Sequence, residues 1–450
     1  MGLKFVNITV DTTALQIPPR RSFGTAGIVG FAPNVTTGVA QLFRGLADAE
    51  EVYGEDSGIT RSLGMFFENF GRDVFAIVHE ATTEVQRTFS GTGAKRDFEL
   101  PYFPLPPLTV QADLGSGIQA VEEGVHYDVD YGNKTIWFKE DYIPVTGTDN
   151  VLVDGYSATP AQIEEALDEL LKENIQLVCV SYCFDPSLLA KLKDHLVKAN
   201  SGGHYRSGIA ALPKGEYDET NVTTFLSGIK TDDLIVVGHN MIEDAAAGVL
   251  GMAAYYPPNQ PLTAKAFRGS SQTEYFSDDE LYTLAGDGGL TTTGLNIFVI
   301  DRSDRSNIAN LTGWAYTVSD DSALRYFDTV RVIQAIRFEL EAQLTSSRVI
   351  GNAELNVSKT GMAALHNILD GIMYQFTVRP KKWLEGFTVL IPLEEVVNNE
   401  PNLTAGEAAL RTNAILARTA DFEVEVDYRG SLNTITGKVR IVPGGTATAV

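Results

Sequence analysis

"TPAQIEEALDELLKENIQLVCVSYCFDPSLLAKLKDHLVKANSGG" (159–203) holds a helix, a strand and a second helix in direct succession. Thr159 is an N-cap and Pro160 suits the first helical position, so the spacing predicts a helix from 160. "IQLVCVSY" is an unbroken apolar run of strand length, the signature of a strand buried on both faces. The second helix starts after Asp185 and stops at the Gly202–Gly203 pair.

The same alternation extends outward. Downstream, "SGIAALP" (207–213), "DETNVTTFLSGIK" (218–230), "DLIVVGH" (233–239) and "AAAGVLGMAAYY" (245–256) repeat strand and helix. Upstream, "GTAGIVGFAP" (24–33) is a buried strand, "SLGMFFENFG" (62–71) a helix closed by Gly71, and "DVFAIVHEA" (73–81) a strand. The fold class expected is α/β, a mostly parallel sheet covered by helices.

Residues 91–155 interrupt this pattern. "PYFPLPPLTV" (101–110) is too proline-dense for a helix. "GVHYDVDYGNKTIWFKEDY" (124–142) alternates around "YGNK", a hairpin turn with Gly and Asn at the positions of positive φ. With "NVLVDGY" (150–156), the stretch reads as a small all-β domain inserted into the α/β domain, which then comprises 21–90 and 156–258.

"YYPPNQP" (255–261) is the expected linker to a C-terminal α+β domain at 262–420. There, "SDDELYTLAGDGG" is a helix opened by Ser277, and "LNIFVID" (295–301) is a strand. A helix is expected over 322–345, with Tyr326, Val330, Ile333, Ile336, Leu340 and Leu344 on one stripe. Arg337 falls within that stripe and Glu341 is in reach. The guanidinium either snorkels at the edge of a core helix or forms an ion pair between subunits. A second helix follows in "SKTGMAALHNILDGIMYQF" (358–376), where His366 is expected at the surface or satisfied.

Both ends are strands set apart from the core. "LKFVNITVD" (3–11) puts Val6, Ile8 and Val10 on one face, and "QIPPRRSFG" separates it as an arm at 1–20. "FEVEVDYRGSLNTITGKVRIV" (422–442) reads as a hairpin in an arm at 421–450, with Phe422, Val424, Val426 and Tyr428 on one face. An isolated hairpin is marginal in water, so this one needs a partner.

The 450 residues allow two to four domains, and 44% hydrophobic with 21% charged residues is ordinary for a folded protein. A net charge of −23 disfavours nucleic acid or an anionic membrane surface as the main partner. No signal peptide and no membrane-spanning run are expected. The two cysteines, Cys179 and Cys183, would lie roughly 13 Å apart on one strand, too far for a disulfide. The six histidines make no metal-binding spacing. "LAGDGGLTTTG" lacks the lysine of a phosphate loop, and no nucleophile elbow is present. No catalytic, cofactor or metal site is expected, and an α/β enzyme with a β accessory domain is the competing class.

Three stretches resemble the contractile tail sheath family of tailed viruses, injection systems and tailocins. The first is residues 22–81, with "VYGE" and "FFENFG". The second is "LTTTGLNIFVID" (290–301) followed by "TGWAYTVSDDSALRYFDTVRVIQAIRFELEAQL" (312–344). The third is "KTGMAALHNILDGIMYQ" (359–375). The family's "FFxNGG" is "FFENFG" here, and Val332 stands where a second arginine is common. The resemblance implies a helical homopolymer around an inner tail tube protein, bounded by baseplate and tail terminator proteins, in a virion tail assembled in the host cytoplasm. It implies arms that add strands to a neighbour's sheet, an outward β insert and a C-terminal domain near the tube. Arg325, Arg331 and Arg337 are then candidate contacts to tube or neighbouring subunits. Contraction would drive the tube through a cell envelope, with no cofactor and no membrane insertion. A non-viral injection system sheath is the alternative.

Overall fold

The computed structural model describes residues 24–428 and 430, apart from 34, 36–37, 85, 287–293, 303–308, 315, 322–323, 346–354, 380 and 401. Val6, Ile8 and Val10, and the second strand of the C-terminal hairpin, lie outside the described residues.

The chain begins with β1 (Ala26–Gly30), the edge strand β2 (Gln41–Phe43), helices α1 (Leu46–Tyr53) and α2 (Gly58–Glu68), and β3 (Val74–Val78). Ser57 caps α2 by accepting from the Thr60 amide at 3.3 Å. The left-handed residue after α2 is Phe70, at φ 70°, and not Gly71 as expected. Gly71 serves packing instead: a Cβ there would lie 2.2 Å from the Phe66 ring.

The β insert expected at 91–155 reaches further on both sides: it comprises β4 (Thr82–Thr83), β5 (Arg87–Gly91), β6 (Asp97–Glu99), β7 (Leu105–Asp113), β8 (Ile118–Val121), β9 (Tyr127–Asp130), β10 (Thr135–Phe138) and β11 (Gly147–Ser157), with β4 and β5 both paired to β11. They form a five-stranded sheet centred on β11 and a three-stranded sheet β6-β10-β9. In the β9–β10 turn the positive φ falls on Lys134, at 57°, and not on the Gly or Asn. Gly132 is needed for close approach, because its Cβ would meet Pro213 Cα at 2.9 Å. Phe98, Val110, Val129, Phe138 and Val153 share one continuous core with Ile28, Phe66 and Met252 of the α/β body.

After the insert come α3 (Pro160–Leu170), β12 (Leu177–Val180), α4 (Pro186–Ser201), β13 (Ser207–Ala211), α5 (Glu219–Leu226), β14 (Leu234–Gly238) and α6 (Ala245–Tyr255). Thr159 and Gln162 complete a capping box at α3. Alternate strand residues enter two cores, one on each face of the sheet. Ile28, Cys179, Ile209 and Ile235 face α2 and α6, while Val29, Val178, Ala210 and Val236 face α3, α4 and α5. β12 ends at Val180, so Cys183 is not on the strand and lies in the second core, unlike Cys179.

The proline-rich stretch after α6 does not divide the molecule. Beyond it, α7 (Asp278–Ala285) leads to β15 (Phe298–Arg302) and β16 (Ala309–Thr312). Both strands join the main sheet, whose order is β16-β15-β14-β13-β12-β1-β3-β2. Pairs from β3 across to β15 are parallel, and each edge strand is antiparallel. Ala264 and Phe267 also donate to Leu311 and Ala309, each at 2.8 Å. The boundary expected at 262 therefore falls inside the sheet. Pro257 marks a turn, closed by the Gln260 amide at 2.9 Å, and proline content alone does not separate a turn from a domain linker.

The C-terminal unit contains α8 (Phe327–Leu344), α9 (Lys359–Thr377), β17 (Gly386–Leu390), α10 (Pro392–Asn398), α11 (Ala405–Ala417) and β18 (Glu423–Asp427). Its cores gather Val332, Ile336, Phe376 and Trp383, and Met362, Leu369, Ile391 and Val397. The first half of α8 is not a single stripe: Phe327, Asp328, Val330, Arg331, Val332, Gln334, Ala335 and Ile336 are all buried. This half is wedged between the body and the C-terminal unit. Among the described residues, no helix is long and apolar enough to cross a membrane.

Candidate functional site

In a doubly wound sheet, ligands bind where the strand order reverses, beyond the C-terminal ends of the strands. Here that point lies between β1 and β12, and protein groups fill it. Ser62 of α2 donates to Asp244 Oδ2 at 2.5 Å and sits 2.6 Å from the Ser181 hydroxyl. The Tyr182 amide reaches the same carboxylate oxygen at 3.2 Å, and Asp244 Oδ1 caps α6 through the Ala247 amide at 3.2 Å. Burial pushes the Asp244 carboxyl above its ordinary pKa, partly offset by these hydrogen bonds.

The insert seals the same edge. Arg61 grips Glu123 with both terminal nitrogens, at 3.0 and 2.8 Å. Tyr131 donates to Glu123 at 3.1 Å, and its ring lies edge-on to Tyr182 at 5.1 Å. Bidentate pairing of this kind fixes orientation as well as charge. Among the described residues no group of three or more His, Cys, Asp and Glu side chains is placed to hold a metal.

A second candidate is the small C-terminal sheet. β18 pairs antiparallel with β17 of its own chain, setting Val424 opposite Val389 and Val426 opposite Phe387. The first hairpin strand, expected in a sheet completed by another subunit's strand, thus has one partner within its own chain. Its partner segment, Gly386–Ile391, itself alternates Phe387, Val389 and Ile391, a strand signal that the sequence reading passed over. Among the described residues the sheet stops at these two strands, leaving an outer edge on each.

The four apolar residues expected on one face, Val424 and Val426 of β18 with Phe422 and Tyr428 beside it, do not all share one burial state. Val424 and Tyr428 pack on the C-terminal core, whereas Phe422 and Val426 are 37% and 39% exposed. Glu423, Glu425 and Asp427 are exposed. Tyr428 donates to Asp328 Oδ2 at 2.7 Å and so ties the end of β18 to the start of α8. On α9, His366 Nδ1 lies 2.6 Å from Glu394 Oε2 of α10, so its partner is within the unit.

The arginine candidates separate. Arg331 is buried, and its Nη2 donates to the carbonyls of Ala253 and Tyr256 at 2.8 and 3.1 Å, capping the end of α6. Burial lowers its pKa to about 10. It is an internal strut and is not available to a tube or neighbour. Arg337, expected inside the apolar stripe, is exposed instead. Glu341 accepts a hydrogen bond from Tyr205 of the body, and Gln334 donates to Asp233 at 2.8 Å. Arg325 is half-buried, with its guanidinium 5.2 Å from the Tyr316 ring centre.

No family model and no curated protein matches the sequence. Solved structures match at probability 1.00. The helical sheath of the anti-feeding prophage in its contracted state is 12% identical, with a TM-score of 0.57 over 98% of this chain and 99% of that one. The contracted sheath complex of the extracellular contractile injection system PVC is 9% identical, with a TM-score of 0.54 over 98% of both chains. A sheath tail protein from Desulfitobacterium hafniense is 11% identical, with a TM-score of 0.50 over 86% of this chain and 93% of that one. The chain carries the contractile sheath fold along essentially its whole length.

Proposed function

We propose that this chain is the structural subunit of a contractile sheath, which polymerises helically around an inner tube and shortens to drive that tube through a cell envelope. The observation that carries the reading is the match to a helical sheath over 98% of the chain. The open β17–β18 sheet gives it a physical basis, because an unpaired strand edge is a template for a strand from another copy.

Charge supports strand addition there. Residues 1–23 hold Lys4, Arg20 and Arg21 against Asp11, and residues 429–450 hold Arg429, Lys438 and Arg440 with no acid. The intervening body carries 29 basic and 57 acidic residues. Lys438 and Arg440 alternate with Val439 and Ile441, while β18 presents Glu423, Glu425 and Asp427. A strand set beside β18 brings cations to carboxylates and aliphatic to aliphatic side chains. Heterologous contacts of this kind generate open helical polymers.

In this reading the partners are further copies, an inner tube protein, and baseplate and terminator proteins. The C-terminal unit lies nearest the tube and the insert faces outward. The protein is not an enzyme in this reading, which is supported by a switch point filled by Asp244 and its hydroxyl and amide donors. A second reading, the sheath of a non-viral injection system in place of a virion tail, is favoured by the two systems matched over 98% of the chain. Negative-stain microscopy of the purified chain tests the proposal: hollow tubes are expected, and discrete small oligomers under every condition would overturn it.

A further inference from the structure

A groove of about 570 Å³ opens at the N-terminal end of the main sheet, lined by Gly24, Arg72, Asp73, Tyr255, Tyr256 and Gln260. Two aromatic rings, Tyr255 and Tyr256, line it, and a third, Phe70, packs behind Tyr255. Phe70 stacks on Tyr255 with centroids 5.0 Å apart, and Tyr255 meets Tyr256 edge-on at 5.0 Å. Each ring carries a cation: Arg268 lies 4.1 Å from the Phe70 centroid, Arg72 5.9 Å from Tyr255 and Lys265 5.0 Å from Tyr256. Tyr255 is 46% exposed, and both arginines are exposed.

Among the described residues, no carboxylate pairs with Arg72, Lys265 or Arg268; the lining acid, Asp73, is held by Arg44 at 3.1 Å. Three unpaired cations gathered in one place are out of character for a chain of net charge −23. Stacking on the rings holds them in a fixed array.

We propose that this groove is an interface between copies, where the cationic, aromatic rim takes an acidic segment of a second copy of this chain. Charge selects the occupant. The body of every copy is strongly acidic, whereas residues 1–23, which enter the fold at Gly24 beside the groove, carry a net positive charge and would be repelled. The contact is distinct from the β17–β18 edge, and it rests on the reading that copies polymerise.

The test joins cross-linking to charge reversal. Tubes grown from mixed light and isotope-labelled chains are treated with a zero-length carbodiimide, which joins the Lys265 amine to a carboxylate as an amide and itself takes up the elements of water to leave as its urea. Amides from Lys265 to Asp or Glu of the other isotope are expected. The Arg72→Glu/Lys265→Glu/Arg268→Glu variant should raise the critical concentration for assembly on the order of tenfold or more, with an unchanged melting temperature. Should that variant misfold, the corresponding glutamine variant and the cross-links on unaltered protein still decide. Tubes with no intermolecular Lys265 cross-link, or a critical concentration unmoved by either variant, overturn the interface and leave the sheath reading standing. Unaltered chains that form no tubes under any condition overturn both.

Discussion

The phenol of Tyr428 donates to the buried carboxylate of Asp328 at 2.7 Å, joining the end of β18 to the start of α8 across a hundred residues of chain. Burial raises the pKa of Asp328, and the hydrogen bond from Tyr428 offsets part of that shift. The tether sets where the C-terminal segment leaves the subunit. Tyr428→Phe leaves the carboxylate without this donor and should cost about 1–3 kcal/mol. Faster amide exchange is expected across Glu423–Asp427 and Gly386–Leu390; unchanged exchange in both strands would show that the tether does not hold the sheet.

The two α8 arginines should behave oppositely. Arg331→Met removes the cap on α6 and should destabilise by about 2–5 kcal/mol, within the range for breaking a buried polar network. Arg337→Met should change stability by less than about 0.5 kcal/mol, as for other exposed positions. Urea midpoints of the two variants check both. Full assembly of the Arg337 variant would also remove that residue as a subunit contact.

Acid should weaken the fold through its buried histidines. Burial lowers His79 and His239 to about 4 and His195 to about 3, the last with help from the adjacent Arg206 charge. Each stays neutral in the fold while the unfolded chain takes up a proton near pH 6.5. Their contribution is present above pH 6.5 and is lost as pH falls toward 4 for His79 and His239, and toward 3 for His195. Asp244 and Asp328, with raised pKa values, act in the opposite sense, losing stability as pH rises. Replacing His239 by Gln isolates one histidine: the pH dependence of the unfolding free energy between pH 4 and 6.5 should fall by up to about one proton. An unaltered slope would refute it.

Removing Asp244 should damage the fold, because Ser62, Tyr182 and Ala247 all donate to it. Asp244→Ala leaves these donors buried and should cost roughly 2–5 kcal/mol. Chemical denaturation measures the loss; a value below about 1 kcal/mol would mean that water replaces the carboxylate freely.

Strand addition predicts a charge swap. Lys438→Glu/Arg440→Glu should impair tube formation with no change in monomer stability, and Glu423→Lys/Glu425→Lys should restore part of it. Deleting residues 1–15 should likewise block tubes while leaving the melting temperature unchanged. Sedimentation and microscopy read both, and normal tubes from the deletion would defeat the arm mechanism.

Much of the α/β body was legible in the chain itself. Buried strands such as Leu177–Val180 are continuous apolar runs, and the Thr159–Gln162 capping box is written in four residues. These signals are local: a strand between two helical layers must be apolar on both faces, and a helix start must satisfy its own amides. What only the tertiary structure decided is non-local. Periodicity put Arg337 inside and left Arg331, a candidate surface contact, outside the apolar stripe, yet α8 is wedged between two bodies and buries its Arg331 flank against the carbonyls ending α6. Proline composition marked a boundary that β15 and β16 cross, because strand order depends on which edges remain free once the earlier strands have paired. The alternation of Phe422–Tyr428 identified a strand, but not that Gly386–Leu390 covers one of its edges, the other being unpaired among the described residues. A strand's own residues fix its two faces, while its neighbours depend on the path of the whole chain.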